Sequence, residues 1–377
     1  VSDTGNAIKS AEAMLRHCAV DQQLAPAILA GTAPKGVYQD LSVSWRANIV
    51  RGNAATKLWR AEGRQTLAIH PEVVREVSKA SSSKFPAEIL RAIPYINPMV
   101  VFSDPPILKT WRERTQASRL MPYAAKEDGL RLVGFFVYGQ KHGVVATPES
   151  DAHEHIAMKK MAGIVTSTHA PDAQTIGMTA IFEVLDAAGK RLDMEAASFS
   201  VPLQGDYTLA QLVDDQVERF TFAVGSATEL KRAWVTEVYK ILVGTMLYLC
   251  STVLDAERVP TVTTKHLAKT IARKPLSFYR VGWTLGAALT KYRQAQSRGE
   301  GSQQGDLAHQ QDPQHRKCHF RMQWYGPRSA HACELMRNTC DCDGRHREWI
   351  FIAPYWTHRE RLGVAGINTV RRVPKTA

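Results

Sequence analysis

One stretch constrains the fold more than any other: Glu229 to Leu254, ELKRAWVTEVYKILVGTMLYLCSTVL. Its apolar residues fall first at helical spacing and then on all sides, which predicts a helix that its neighbours cover completely. Such a helix belongs either in the middle of a layered protein or in a bilayer. The most apolar part, Ile241 to Leu254, is interrupted by Gly244, Thr245, Ser251 and Thr252. It falls short of the roughly 18–20 residues that span a membrane. The opening residues VSDTGNAIKS also lack the charged-then-apolar pattern of a secretion signal. No membrane partner is expected, and the expected location is cytoplasmic. A chain of 377 residues is long enough to bury this helix under its own layers without metal or disulfide staples.

The rest of the pattern supplies those layers. Ala7, Ile8, Ala11, Met14, Leu15 and Cys18 share a helical face, and the segment 1–35 ends at the turn APKG. VSWRANIVRGNAATKLWR, from Val43, reads as mostly helix. Pro71 stands where a helix begins, with Glu72 in its first turn, and FPAEILRA reads as a short helix. Strands follow at INPMVVFSDPP, at Leu130 to Gly139, and at GMTAIFEVLD and RLDMEAASFSVPL. The last two are joined by AAGK and predict a hairpin. LAQLVDDQVERF starts a helix behind Thr208, a good N-cap. TKHLAKTIARK and VGWTLGAALTKYRQAQ read as helices, and the polar SRGEGSQQGDLAHQQD as a linker or exposed loop.

The expected fold class is therefore α+β: a central antiparallel sheet with N-terminal helices, a basic helical segment and a C-terminal β-hairpin. The expected division is a helical region over 1–95, a β-rich middle over 96–228, a helical basic segment over 229–298, a linker or loop over 299–312, and a C-terminal hairpin with a Cys-rich loop over 313–377.

Charge adds a functional clue. Lys and Arg number 48 against 36 Asp and Glu, a net +12, and the excess is uneven. Arg258 to Arg298 carries nine basic residues and no acid, whereas Ile181 to Arg219 carries eight acids and three bases. Such a chain favours an anionic partner such as nucleic acid or the ribosome surface, unless its two halves neutralise each other. Lys265, Lys269, Arg273, Lys274 and Arg280 are the candidate nucleic-acid contacts.

Catalytic signatures are missing. The sequence has no phosphate-binding Gly-x-x-x-x-Gly-Lys-Ser/Thr loop, no Gly-x-Ser-x-Gly elbow and no His-Glu-x-x-His motif. His153-Glu154-His155 would share a metal if extended, but in PESDAHEHIAMKK it reads as the capped start of a helix. A binding adaptor that requires no cofactor is expected rather than an enzyme. Cys318, Cys333, Cys340 and Cys342 do cluster within 25 residues, with His319, His331 and His346 nearby. Two readings stand beside each other there: a tetrahedral structural zinc held by the four cysteines, or reduced thiols on a surface loop.

The tail carries the densest pattern. In Pro313 to Gly326, PQHRKCHFRMQWYG, cations alternate with aromatics. At a strand's period of two, His315, Lys317, His319 and Arg321 share one face, and Cys318, Phe320, Met322 and Trp324 the other. The expectation is a row of donors above an apolar underside, suited to phosphate, carboxylate or peptide carbonyls.

This segment resembles the tail motif of the anti-CRISPR family that acts against the type V-A RNA-guided nuclease, found on phages and other mobile elements. The family pattern is Pro-His-x-Arg-Arg-x-His-Trp-His-x-Tyr-Trp-x-Gly, and it lies on this sequence without a gap. Pro313, Arg316, His319, Trp324 and Gly326 match outright, and Lys317 and Phe320 match in kind. Gln314, Arg321 and Gln323 depart, Arg321 replacing the second His of His-Trp-His. Trp349 in WIFIAP resembles the strand that follows. Upstream, KILVGTMLYLCSTVL, VGWTLGAALTKYRQ, AIPYINPMVVF, GFFVYG and LWRAEGRQTLAIHPEVV resemble family segments in the same order. The resemblance covers roughly residues 55–355; residues 1–40 and the Cys-rich loop lie outside it.

The resemblance implies an adaptor acting during synthesis of a defence effector. Such a protein recognises the emerging N-terminal peptide of the effector and lowers its mRNA, through contact with the translation or RNA-decay machinery. His315, Arg316, Lys317, His319, Arg321 and Trp324 would grip the peptide or an anion. Two other readings remain at this point: a nucleic-acid-binding phage or plasmid regulator that uses the 258–298 block, and a metal-dependent nuclease with carboxylates that no motif marks.

Overall fold

A computed structural model describes residues 3–30, 32, 43–61, 64–79, 84–108, 129–138, 175–186, 188–221, 228–251, 255–262, 276–297, 315–316, 319–326, 330–336, 342, 344–352 and 355–356. The architecture is mixed α+β around a large central sheet in which antiparallel pairs predominate. Its strands are β1 (Gln65–Ile69), β3 (Met99–Phe102), β4 (Ile107–Leu108), β5 (Gly129–Tyr138), β6 (Thr175–Leu185), β7 (Arg191–Pro202), β9 (Ala256–Val262) and β10 (Leu276–Val281). They run in the order β7-β6-β5-β3-β1-β10-β9, with β4 beside β5. Two contacts at the heart of this order, β1 with β3 and β1 with β10, are parallel. The β6–β7 hairpin is the one the sequence predicts, pairing Thr175 with Pro202 and Val184 with Asp193. A minor pair joins β2 (Phe85–Pro86) to β8 (Asp206–Tyr207).

Helices cover both faces of the sheet. On one side lie α1 (Asp3–Ala30) and α2 (Val43–Ala61), where Met14, Leu15 and Trp59 pack on Ala68, Met99, Val101, Val133 and Phe136. On the other lie α3 (Pro71–Val77), α4 (Leu209–Thr221), α5 (Thr228–Leu249) and α6 (Trp283–Ser297). There Leu67, Ile69, Val100, Phe102, Phe182 and Phe199 meet the buried residues of α5. A sheet covered on both faces needs apolar residues at consecutive positions, which explains the unbroken runs MVVF and FFV. Along β5, Leu132 faces the α5 side and Val133 the α1 side, yet Phe135 faces α5 again. The register shift between Leu132 and Gly134 accounts for that change of parity, as a β-bulge does. Gly134 also lets α1 approach closely, because a Cβ there would lie 2.3 Å from the Val100 carbonyl oxygen and 2.7 Å from Met14 Sδ.

α5 is the covered helix that the sequence predicts. Val238, Tyr239, Leu242, Val243, Met246, Leu247 and Leu249 are all buried. Its Tyr239 hydroxyl donates to the Ser200 carbonyl at 2.9 Å, which fixes the helix to β7 without stranding a polar group. Thr208 caps α4 as expected, accepting from Gln211 N at 3.3 Å while Gln211 Oε1 accepts from Thr208 N at 2.8 Å. No described helix is long and apolar enough to cross a membrane.

The structure differs from the sequence reading at definite places. β9 and β10 lie inside the region read as helical and basic, and β1 lies inside the region read as N-terminal helices. FPAEILRA does hold a short helix, the 3-10 helix Ala87–Ala92, but its first two residues form β2, because Phe85 and Pro86 pair with Tyr207 and Asp206. His153-Glu154-His155, the turn APKG, TKHLAKTIARK and the 299–312 linker lie outside the described residues.

Candidate functional site

The tail forms two small sheets. β11 (His315–Arg316) pairs antiparallel with β15 (Tyr355–Trp356). β12 (His319–Tyr325) pairs antiparallel with β14 (Arg345–Ile352), and β13 (Ala332–Met336) pairs parallel with the other edge of β14. The order β12-β14-β13 makes this a three-stranded sheet rather than the simple hairpin expected, since β13 crosses over to the far side of its partner. β12 is therefore a terminal strand of the sheet.

His346, Ile350 and Ile352 alternate onto one face of β14 and all three are buried. Trp324, whose register partner is Arg347, is 37% exposed. The Arg345 guanidinium carbon stands 5.4 Å from the Trp324 ring centroid, a cation–π distance. The sequence reading put Trp324 on a covered underside with His319 and Arg321 on the open face, yet Trp324 is exposed and the register sets His319 and Arg321 opposite the buried Ile352 and Ile350. Gly326 ends β12 with φ at +110°, a backbone state that suits a residue without Cβ.

Beside the β13–β14 contact lies a cluster of thiol and imidazole groups. The ligand atoms of Cys333, Cys342 and His346 lie within 4.8 Å of one another. Cys342 Sγ stands 3.5 Å from His346 Nε2 and 3.6 Å from His331 Nε2. His331 is held in place by its carbonyl, which accepts from Arg345 N at 2.8 Å. His346 is buried, Cys333 half-buried, and Cys342 and His331 exposed.

The sequence-derived candidates fare unequally. His315 and Arg316 fall in β11, and His319 and Arg321 in β12 opposite Ile352 and Ile350. Lys317 and Cys318 lie outside the described residues, so the row is placed as two short strand segments. Of the basic block, Lys265, Lys269, Arg273 and Lys274 lie outside the described residues. Arg280 is paired with Glu257 across β9–β10 and sits 5.7 Å from the Trp283 ring, which gives this cation a structural partner already. Cys333 and Cys342 come together, while Cys340 lies outside the described residues. His331 and His346, which the sequence offered only as neighbours, both stand beside Cys342. Within the acidic stretch, Glu183 pairs with Arg131 and Arg191, and Asp214 with Arg232.

A search of curated proteins gave no match. The model of the AcrVA2-like family, described as the anti-CRISPR type V subtype A2 family, matches residues 67–358. That span begins in β1 and ends just beyond β15, so it takes in the central sheet, the covered helix and the tail, and it leaves out α1 and α2. Over well more than half of its length, then, the chain answers to one family description, and it belongs to the AcrVA2-like anti-CRISPR type V subtype A2 family.

Proposed function

We propose that this anti-CRISPR family member evades host defence by recognising the nascent N-terminal peptide of a CRISPR effector and lowering that effector's mRNA or synthesis. The observation that carries the reading is the position of β12. The strand bears His319, Phe320 and Trp324 of the family-like motif and stands at the end of its sheet. Among the described residues no strand pairs with its outer edge. An extended peptide can add to such an edge, where main-chain hydrogen bonds give affinity and alternate side-chain pockets give selectivity. Trp324 and Arg345 at its end offer an aromatic and cationic platform for a side chain. In this proposal His315, Arg316, Lys317, His319, Arg321 and Trp324 hold the peptide, and the chain works as an adaptor next to the ribosome or the RNA-decay machinery.

Binding of the full chain to synthetic peptides that tile the N-terminus of a type V-A effector tests this directly. One window of sequence should bind, Arg316→Ala and His319→Ala should abolish binding and effector loss, and affinity should change little with salt. Absence of any binding window, or association with RNA alone with the steep salt dependence of counterion release, would overturn it.

A further inference from the structure

We propose that His331, Cys333, Cys342 and His346 form a tetrahedral zinc site that staples β13 to β14. It does not rest on the peptide reading, since it concerns how the tail is held together and not what the tail binds.

The distances carry the argument. With Zn–S near about 2.3 Å and Zn–N near about 2.0–2.1 Å, a sulfur and a nitrogen on one tetrahedral ion stand about 3.5–3.6 Å apart. Cys342 Sγ makes that spacing twice, at 3.5 Å to His346 Nε2 and 3.6 Å to His331 Nε2. The third donor, Cys333 Sγ, lies within 4.8 Å of Cys342 Sγ and of a ring nitrogen of His346. Among the described residues Cys333, Cys342 and His346 are the one group of three or more His, Cys, Asp or Glu ligand atoms gathered so closely, and His331 joins it through Cys342 alone. Two thiols with two imidazoles in this arrangement select zinc over the hard cations, which prefer oxygen.

The backbone is shaped to bring the fourth donor in. Gly344 is buried beneath His331: a Cβ there would lie 2.7 Å from His331 Nε2 and 3.0 Å from the His331 carbonyl oxygen. The parallel pairing of Ala332 with Arg345 sets His331 beside Gly344, and Cys333 and His346 each one residue further along their strands. His346 Nε2 also stands 2.9 Å from the Cys342 carbonyl oxygen. In the metal-free chain that nitrogen donates its proton to the carbonyl. Zinc binding releases that proton and turns Nε2 from the carbonyl towards the ion, as metal binding to imidazole and thiol generally releases protons. The site joins the strand carrying Cys333, the turn carrying Cys342 and the strand carrying His346. Its role is to order a small sheet, not to do chemistry.

The full chain, purified under reducing conditions, should hold one zinc, and cobalt added to the stripped protein should give tetrahedral bands with thiolate-to-cobalt charge transfer. His331→Ala and Cys342→Ser change exposed residues and should each weaken cobalt by more than the roughly 10–100-fold typical of losing a ligand's hydrogen-bonding neighbour. Gly344→Ala, which crowds the His331 ring, should weaken it less. Cys318→Ser and Cys340→Ser should leave stoichiometry and spectrum unchanged. Circular dichroism of every variant separates ligand loss from unfolding. Three results would each overturn the assignment: no metal retained, a Cys333–Cys342 disulfide under the same conditions, or full cobalt affinity in both His331→Ala and Cys342→Ser.

Discussion

The central sheet and the tail sheet are built on opposite economies. In the first, strands such as β3 bury every residue, and helices close both faces with Phe102, Phe135, Phe182, Phe199 and Tyr239 fully covered. In the second, the described buried side chains come down to His346, Ile350 and Ile352, and Trp324 stands in solvent. Three strands are close to the minimum for an ordered sheet in water, and small units of that kind depend on staples, the role proposed above for the thiol and imidazole cluster. The difference teaches where to look for function: the body holds itself together by burial, and the tail gathers the candidate ligand groups.

The comparison predicts that the two regions fail separately. The largest effect should come from the body. Phe135→Ala removes a fully covered ring between β3 and α5 and should cost about 3–5 kcal/mol, read as a shift of the urea midpoint. Cobalt binding in the tail should persist in that variant under native conditions. Loss of tail binding together with the body's midpoint would dissolve the distinction between the two regions.

Metal removal should act in the reverse sense. Stripping the full chain with a chelator should raise hydrogen exchange in 332–336 and 345–352 while amides of β5 and β6 stay protected. Re-added zinc should restore protection. Smaller in structural terms is Trp324→Ala. It should reduce peptide affinity at least about tenfold, yet move the unfolding midpoint by no more than about 0.5 kcal/mol, because the residue is exposed. A large loss of stability with intact peptide binding would make Trp324 a packing residue instead.

These two economies also explain what the sequence made legible. The β6–β7 hairpin, β5 and α5 declare themselves because burial imposes long apolar runs and a tight turn. β1 is five residues between two helices, too short for a period to emerge, and its parallel neighbours come from distant parts of the chain. β9 reads poorly because AERVPTV is charged and holds Pro260, which an edge strand tolerates and a central one does not. In the tail, alternation identified a strand but not the burial opposite His319 and Arg321. That burial comes from Ile352 and Ile350, 33 and 29 positions away on the partner strand. Cysteine spacing pointed to a metal, but the choice of His331 and His346 depends on the parallel contact of β13 with β14, which no spacing encodes.

The smallest expected effect is the acid sensitivity of the body. On α1, burial pushes the His17 imidazole below its ordinary 6.5, only partly offset by the Asp193 carboxylate. The folded chain therefore binds this proton less readily than the unfolded chain. Body stability should be flat above about pH 6.5 and fall as pH drops below it, towards the lower folded value. His17→Gln should remove that slope, seen as convergence of urea midpoints at about pH 7.5 and about pH 5.5. His17→Gln should leave cobalt binding in the tail unchanged, and a chelator should leave the acid slope of the body untouched. If the chelator removes that slope, the body and the tail unfold as one cooperative unit and the contrast between them is lost.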